Sequence, residues 1–152
     1  MAGIAKDTVK ELRDRTGVSV IECKKALQAA GGDMEGALQI LRERSVEVAA
    51  KRQDRTLGAG IVATYVHAGS QVGAMVLLSC ETDFVAKNEE FVALGRDIAM
   101  HAAALKPQNV EELLVQPFIK NEATTIADLL LRAGQKFGER IGVSGVSVCS
   151  VR

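Results

Sequence analysis

The sequence predicts an α+β fold: a three-helix module at the N-terminus, then a small antiparallel sheet packed with helices. Three observations lead there. Apolar residues recur at helical spacing through roughly the first 45 residues. The period then drops from about 3.6 to 2 over two Val-rich runs that flank a Gly-Ser turn. Helical spacing returns after them, and the residues near the C-terminus alternate again.

Taken in order, Ala5, Val9 and Leu12 share one face of a helix over residues 4–15, which Thr16-Gly17 interrupts. Ser19 and Glu22 form a capping box, predicting a helix from about Val20 to Ala30 that ends at Gly31-Gly32. Asp33 caps a third helix with a Met34, Ala37, Leu38 and Leu41 stripe. Three short helices of this kind resemble the ubiquitin-associated type of bundle. Residues 42–57 are charge-rich and read as a helical extension that becomes a linker. The domains expected are therefore 1–55, the helical module with its linker, and 56–152, an α+β core.

In that core, residues 60–67 and 71–80 form a β-hairpin around Ala68-Gly69-Ser70. Val72, Ala74, Val76, Leu78 and Cys80 line one face of the second strand, and Met75 and Leu77 the other. A strand apolar on both faces is expected to be covered by helices. Residues 89–105 form a helix with Phe91, Leu94, Ile98, His101 and Leu105 on one stripe, ended by Lys106-Pro107. Residues 110–115 read as one more turn. Pro117 restricts Gln116-Pro117-Phe118 to an edge or loop. Thr125 and Asp128 cap a helix carrying Ile126, Leu129, Leu130, Ala133 and Phe137, and the last ten residues close the sheet. The core order expected is β-β-α-α-β.

Composition narrows the function. The 152 residues are 47% hydrophobic and 25% charged, with zero formal net charge. Residues 1–55 carry 11 Lys and Arg against 9 Asp and Glu, and residues 56–152 carry 8 against 10. Phosphate-backbone binding wants a clear basic excess, so direct nucleic-acid binding is not expected, and a protein partner is. No run approaches the ~18 apolar residues of a membrane span. The N-terminus lacks the apolar core of a signal peptide. Cys23, Cys80 and Cys149 are odd in number and form no CxxC pair, which fits reduced thiols in a cytoplasm.

A search for catalytic constellations yields little. There is no phosphate-cradling GxxxxGK[ST] loop and no GxGxxG after a strand. His67 and His101 are the only histidines, and neither has a second ligand at metal-site spacing. A Cys–His nucleophile using Cys80 or Cys149 with His101 would have to be assembled by the fold. One segment stands apart: Thr82-Asp83-Phe84-Val85-Ala86-Lys87, between a strand and a helix. It puts one of only four phenylalanines beside a carboxylate, where side chains project. The plain reading is that Asp83 or Asn88 caps the helix and Phe84 staples against it.

Several motifs in order alter that weighing. Val9-Lys10-Glu11-Leu12-Arg13-Asp14-Arg15-Thr16-Gly17 and Cys23-Lys24-Lys25-Ala26-Leu27 come first. Gly32-Asp33, Thr82-Asp83-Phe84-Val85 and Ile98-Ala99-Met100-His101-Ala102-Ala103 follow, then Gln116-Pro117-Phe118 and Gly138-Glu139. Together they resemble the elongation factor Ts family over nearly the whole chain. That resemblance implies a non-catalytic guanine-nucleotide exchange factor of the cytoplasm, without a cofactor. It would bind elongation factor Tu in its GDP-bound and nucleotide-free states and promote GDP release by disturbing the Mg²⁺ and nucleotide site. Asp83 and Phe84 would be the intruding pair, framed by Thr82 and Val85. Arg13, Val20 and Ile21 would be the contacts of the N-terminal module, and His101 a second interface residue or else a hydrogen-bonded core histidine.

The chain departs from the family pattern in having room for one core copy where many members have two. Residues 105–115 also replace a helical insertion. Pairing of two chains through the C-terminal core, near the strand carrying Cys149, would supply the missing surface. Two other readings remain open on residues alone. One is a ubiquitin-associated-like module that captures peptides or other proteins, fused to an unrelated α+β domain. The other is a small thiol enzyme.

Overall fold

The computed structural model describes residues 4–152. It divides into two compact units. One comprises the N-terminal helices through Asp54 together with Leu131–Gly138, the other Arg55–Leu130 with Glu139–Arg152.

In the first unit, α1 (Lys6–Thr16), α2 (Val20–Ala29) and α3 (Met34–Lys51) surround a core of Val9, Leu12, Val18, Cys23, Ala26, Leu27, Ala37 and Leu41. Helix α1 stops at Gly17, whose φ of 70° lets its N–H turn back to the Arg13 carbonyl at 2.7 Å. Ala5 precedes α1 and is exposed, so the buried face begins at Val9 and not at Ala5 as expected. Ser19 caps α2 by accepting the Glu22 N–H. The Glu22 carboxylate is engaged by Lys25 and Arg44, in place of the return bond of a capping box. The charge-rich extension is the continuation of α3 to Lys51, and Arg52 donates to the Gly134 carbonyl at 2.7 Å.

The second unit holds a three-stranded antiparallel sheet in the order β1-β2-β5, from β1 (Ala59–Val66), β2 (Val72–Cys80) and β5 (Gly142–Ser150). One face carries the rows Ile61–Leu78–Val143, Ala63–Val76–Val146 and Tyr65–Ala74–Val148. Helix α5 (Glu89–Leu105) packs on β1 and β2. Its Phe91, Ile98, Ala99 and Ala102 are wholly buried. Leu105, expected on this stripe, is exposed in the last turn, where Lys106 ends the helix in a left-handed conformation.

The opposite face corrects an expectation. Val62, Met75 and Leu77 are exposed along with Val66, so helices cover one side of the sheet and not both. Alternation alone cannot distinguish an apolar face packed within the chain from one left open. A second departure lies after α5. Short helix α6 (Val110–Val115) is followed by a two-stranded hairpin, β3 (Pro117–Phe118) with β4 (Asn121–Thr125), which adds two strands the β-β-α-α-β order lacked. Its polar Asn121-Glu122-Ala123-Thr124-Thr125 has no strand-like alternation to betray it. Thr125 and Asp128 then exchange N–H bonds at 3.1 and 3.2 Å, a complete capping box opening α7 (Ile126–Phe137).

Gly95 permits the close approach of α5 to the sheet. A Cβ there would lie 2.8 Å from Ile61 Cδ1 and 3.0 Å from Ala63 Cβ. The methyl of Ile61 can swing aside, but Ala63 is fixed to the strand. Gly95→Val should therefore destabilise the protein by about 2 kcal/mol or more through overpacking, read as a lower urea midpoint at unchanged slope.

Candidate functional site

The projecting segment is a single helical turn, α4 (Asp83–Ala86), between β2 and α5. Four residues cannot sustain a helix alone. Here both ends are fixed. Thr82 is extended, with ψ 152°, and its hydroxyl accepts the Val85 N–H at 3.5 Å. Asn88 caps α5 by accepting the Glu90 N–H at 2.9 Å. Asp83 therefore caps neither helix.

Within this turn the side chains divide sharply. Val85 is 4% exposed and Ala86 is buried, so Val85 anchors the turn. Phe84 is 85% exposed, the largest value among the exposed large hydrophobic residues, whereas Phe91 and Phe118 lie in the core. The staple reading thus fails for Phe84. Leaving it in water forgoes about 2 kcal/mol of burial, a cost without return inside the chain. Thr82 and Asp83 are exposed beside it.

Behind the turn is a set of residues not singled out as a site from sequence. The Glu139 carboxylate accepts the N–H groups of Glu81 and Thr82 at 3.0 and 3.1 Å and the Thr82 hydroxyl at 2.5 Å. Glu139 falls in the Gly138-Glu139 motif, but nothing in its spacing joins it to residues nearly 60 positions earlier. The buried Cys80 thiol donates to the Thr82 carbonyl at 3.3 Å. Burial pushes that thiol up from its ordinary pKa, with the Glu139 charge adding to the effect. A protonated, buried sulfur is a poor nucleophile.

Arg13, Val20 and Ile21 belong to the first unit. Val20 and Ile21 are 50% and 66% exposed in the first turn of α2, and Arg13 is exposed on α1. Two neighbouring aliphatic side chains in water form a small apolar patch.

His101 is wholly buried with both ring nitrogens engaged. Ile119 N–H donates to Nδ1 at 3.3 Å, so the proton sits on Nε2 and faces Gln116 Oε1 at 3.0 Å. The ring ties α5 to the β3–β4 hairpin, beside Phe118. Among the described residues no cluster of three or more His, Cys, Asp and Glu could hold a metal. None of their helices is long and apolar enough to cross a membrane.

A family model described as Elongation factor TS matches residues 81–151, from the base of the projecting turn through β5. The curated protein named Elongation factor Ts from Thermosipho melanesiensis is 48% identical over 133 residues, 87% of this chain and 68% of its own length. The Elongation factor Ts from Carboxydothermus hydrogenoformans is 38% identical, covering 92% of this chain and 85% of its own. The chain belongs to the elongation factor Ts family. Coverage varies among these relatives: the Elongation factor Ts from Desulforamulus reducens is 52% identical, but over only 51% of its own length. The Carboxydothermus alignment runs to 185 residues, longer than the 152 of this chain, so that family member carries residues with no counterpart here.

Burial lowers the His101 pKa from 6.5, partly offset by the bond to Gln116. The neutral form is thus favoured in the folded state. Below about pH 6.5 the unfolded chain takes up a proton that the folded chain refuses, so stability falls from there towards the folded pKa. Denaturant titrations at pH 7.5 and 5.5 should show lower stability at pH 5.5, by up to about 1.4 kcal/mol per pH unit. His101→Gln should flatten that dependence.

Proposed function

We propose that this chain is a guanine-nucleotide exchange factor for elongation factor Tu. It binds the GDP-bound and nucleotide-free forms and promotes GDP release by disturbing the Mg²⁺ and nucleotide site. The observation that carries this reading is Phe84, held out in water on a turn whose backbone is fixed at both ends. In a member of the elongation factor Ts family, an aromatic so placed suits a wedge.

The mechanism is thermodynamic linkage. If the chain weakens GDP binding by some factor, GDP weakens the chain's binding by the same factor. No bond needs to be made or broken, so the chain acts without catalysis and without a cofactor, and its place as a translation factor is the cytoplasm. Phe84 contributes by leaving water for an apolar gap that is open when the nucleotide is loosened. Asp83 places a carboxylate beside it, where it competes for groups that hold the Mg²⁺. Thr82 and Val85 frame the pair from below. Arg13, with the apolar Val20–Ile21 step, makes the contact of the N-terminal module. His101, closed off by Gln116 and Ile119, acts by holding the β3–β4 hairpin on α5.

The exposed sheet face suits a second copy of this chain. Val62 and Leu77 pair across the strands, Met75 adjoins them, and Cys149 is exposed on edge strand β5 opposite Gly73. Two such faces packed together would withdraw these side chains from water. A homodimer mass in reductant that falls to monomer in Met75→Lys/Leu77→Lys is the expected gel-filtration result.

The deciding measurement is release of fluorescent GDP from elongation factor Tu. Wild type should accelerate it strongly, and Phe84→Ala should remove at least about ten-fold of the acceleration, the equivalent of 1.4 kcal/mol of lost burial. Acceleration by the wild type that survives Phe84→Ala would move the wedge role to Asp83. A folded wild type without effect would end the exchange-factor reading in favour of a binding module.

A further inference from the structure

Phe84 has no packing of its own to hold it, so its direction must come from the backbone beneath. We propose that Glu139 is the positioning residue of this element, through a clasp of two carboxylates. The inference rests on the reading of Phe84 as the wedge.

The geometry is reciprocal. Glu139 accepts the backbone N–H groups of Glu81 and Thr82 at 3.0 and 3.1 Å. Glu81 in turn accepts the backbone N–H of Arg140, the residue next to Glu139, at 2.5 Å. Each carboxylate thus grips the main chain of the other's segment, and the end of β2 is tied to the approach to β5. Two arginines complete it. Arg55 reaches Glu81 at 3.3 Å, and the Arg140 guanidinium donates to the Arg55 carbonyl at 2.7 Å. Bonds from neutral N–H groups to a carboxylate are stronger than those to a neutral acceptor.

Thr82 passes this order to the turn. Its hydroxyl hydrogen is given to Glu139, which leaves a lone pair to receive the Val85 N–H. Its carbonyl accepts from the Ala86 N–H at 3.2 Å and the Cys80 thiol at 3.3 Å. Both peptide groups around Thr82 are therefore committed before Asp83 and Phe84 begin. A wedge presented this way enters its gap already ordered, and the partner does not bear the entropy of ordering it.

The test joins a structural readout with a functional one, in the full chain. Glu139→Gln keeps the shape but turns an N–H₂ towards one set of donors. The amides of Glu81 and Thr82 should then exchange with deuterium at least about ten-fold faster, while those of Val76 and Leu78 in central strand β2 are unchanged. In release of fluorescent GDP from elongation factor Tu, Glu139→Gln and Glu139→Ala should each lower the saturating rate by about ten-fold, the scale of one backbone residue left to be ordered. In a Phe84→Ala background the same changes should cost less than about two-fold, because they act through Phe84. Equal losses in both backgrounds would overturn the proposal, as would faster amide exchange with an unchanged release rate, or unaltered amides. If wild type releases no GDP, the exchange-factor reading fails with it. The amide experiment still reports whether the clasp holds the turn.

Discussion

The close seating of α5 on the hairpin of β1 and β2 sets the terms for the rest of the second unit. Gly95 makes it possible, since any side chain there would meet Ile61 and Ala63. With the helix held on one face, its first residue is fixed in space, as is the last residue of β2. The few residues between Cys80 and Asn88 must bridge those two points. A single turn fits, with Val85 and Ala86 inward and Phe84 outward. The outward phenylalanine is thus a consequence of sheet and helix geometry as much as of its own sequence.

The same seating explains the chemical plainness of the site. The thiol nearest the turn is buried and protonated, the buried imidazole has both nitrogens occupied, and the carboxylates behind the turn accept main-chain N–H groups. Each of these groups is engaged within the chain, and the Asp83 carboxylate is left exposed beside Phe84.

Much of this was readable in advance, for identifiable reasons. Helices α2 and α7 announce themselves with capping residues, and the hairpin with its change of period. The class of fold followed from local pattern, whereas local pattern alone favoured a stapled Phe84, and its special standing came from the family resemblance. What escaped was non-local or amphibious. Strand β4 is polar and owes its extended state to pairing with Pro117 and Phe118. Leu105 fits its stripe by count, yet the helix ends beneath it. Met75 and Leu77 alternate as buried residues would, and only the placement of α5 on the other side leaves them open. Glu139 lay in a quoted motif, but its partnership with Thr82 spans 57 positions and no periodicity reports it.

The order of the strands has a consequence for biosynthesis. β2 is the middle strand, and its second neighbour, β5, comes some 60 residues later in the chain. At roughly 5–20 residues per second, a ribosome needs several seconds to make that stretch. Throughout this interval the nascent hairpin has one unfilled flank and Thr82 lacks Glu139. The arrival of residues 139–150 supplies the third strand together with the Glu139 bonds to Glu81 and Thr82. The middle strand and the backbone beneath Phe84 thus wait on the same late stretch of the chain.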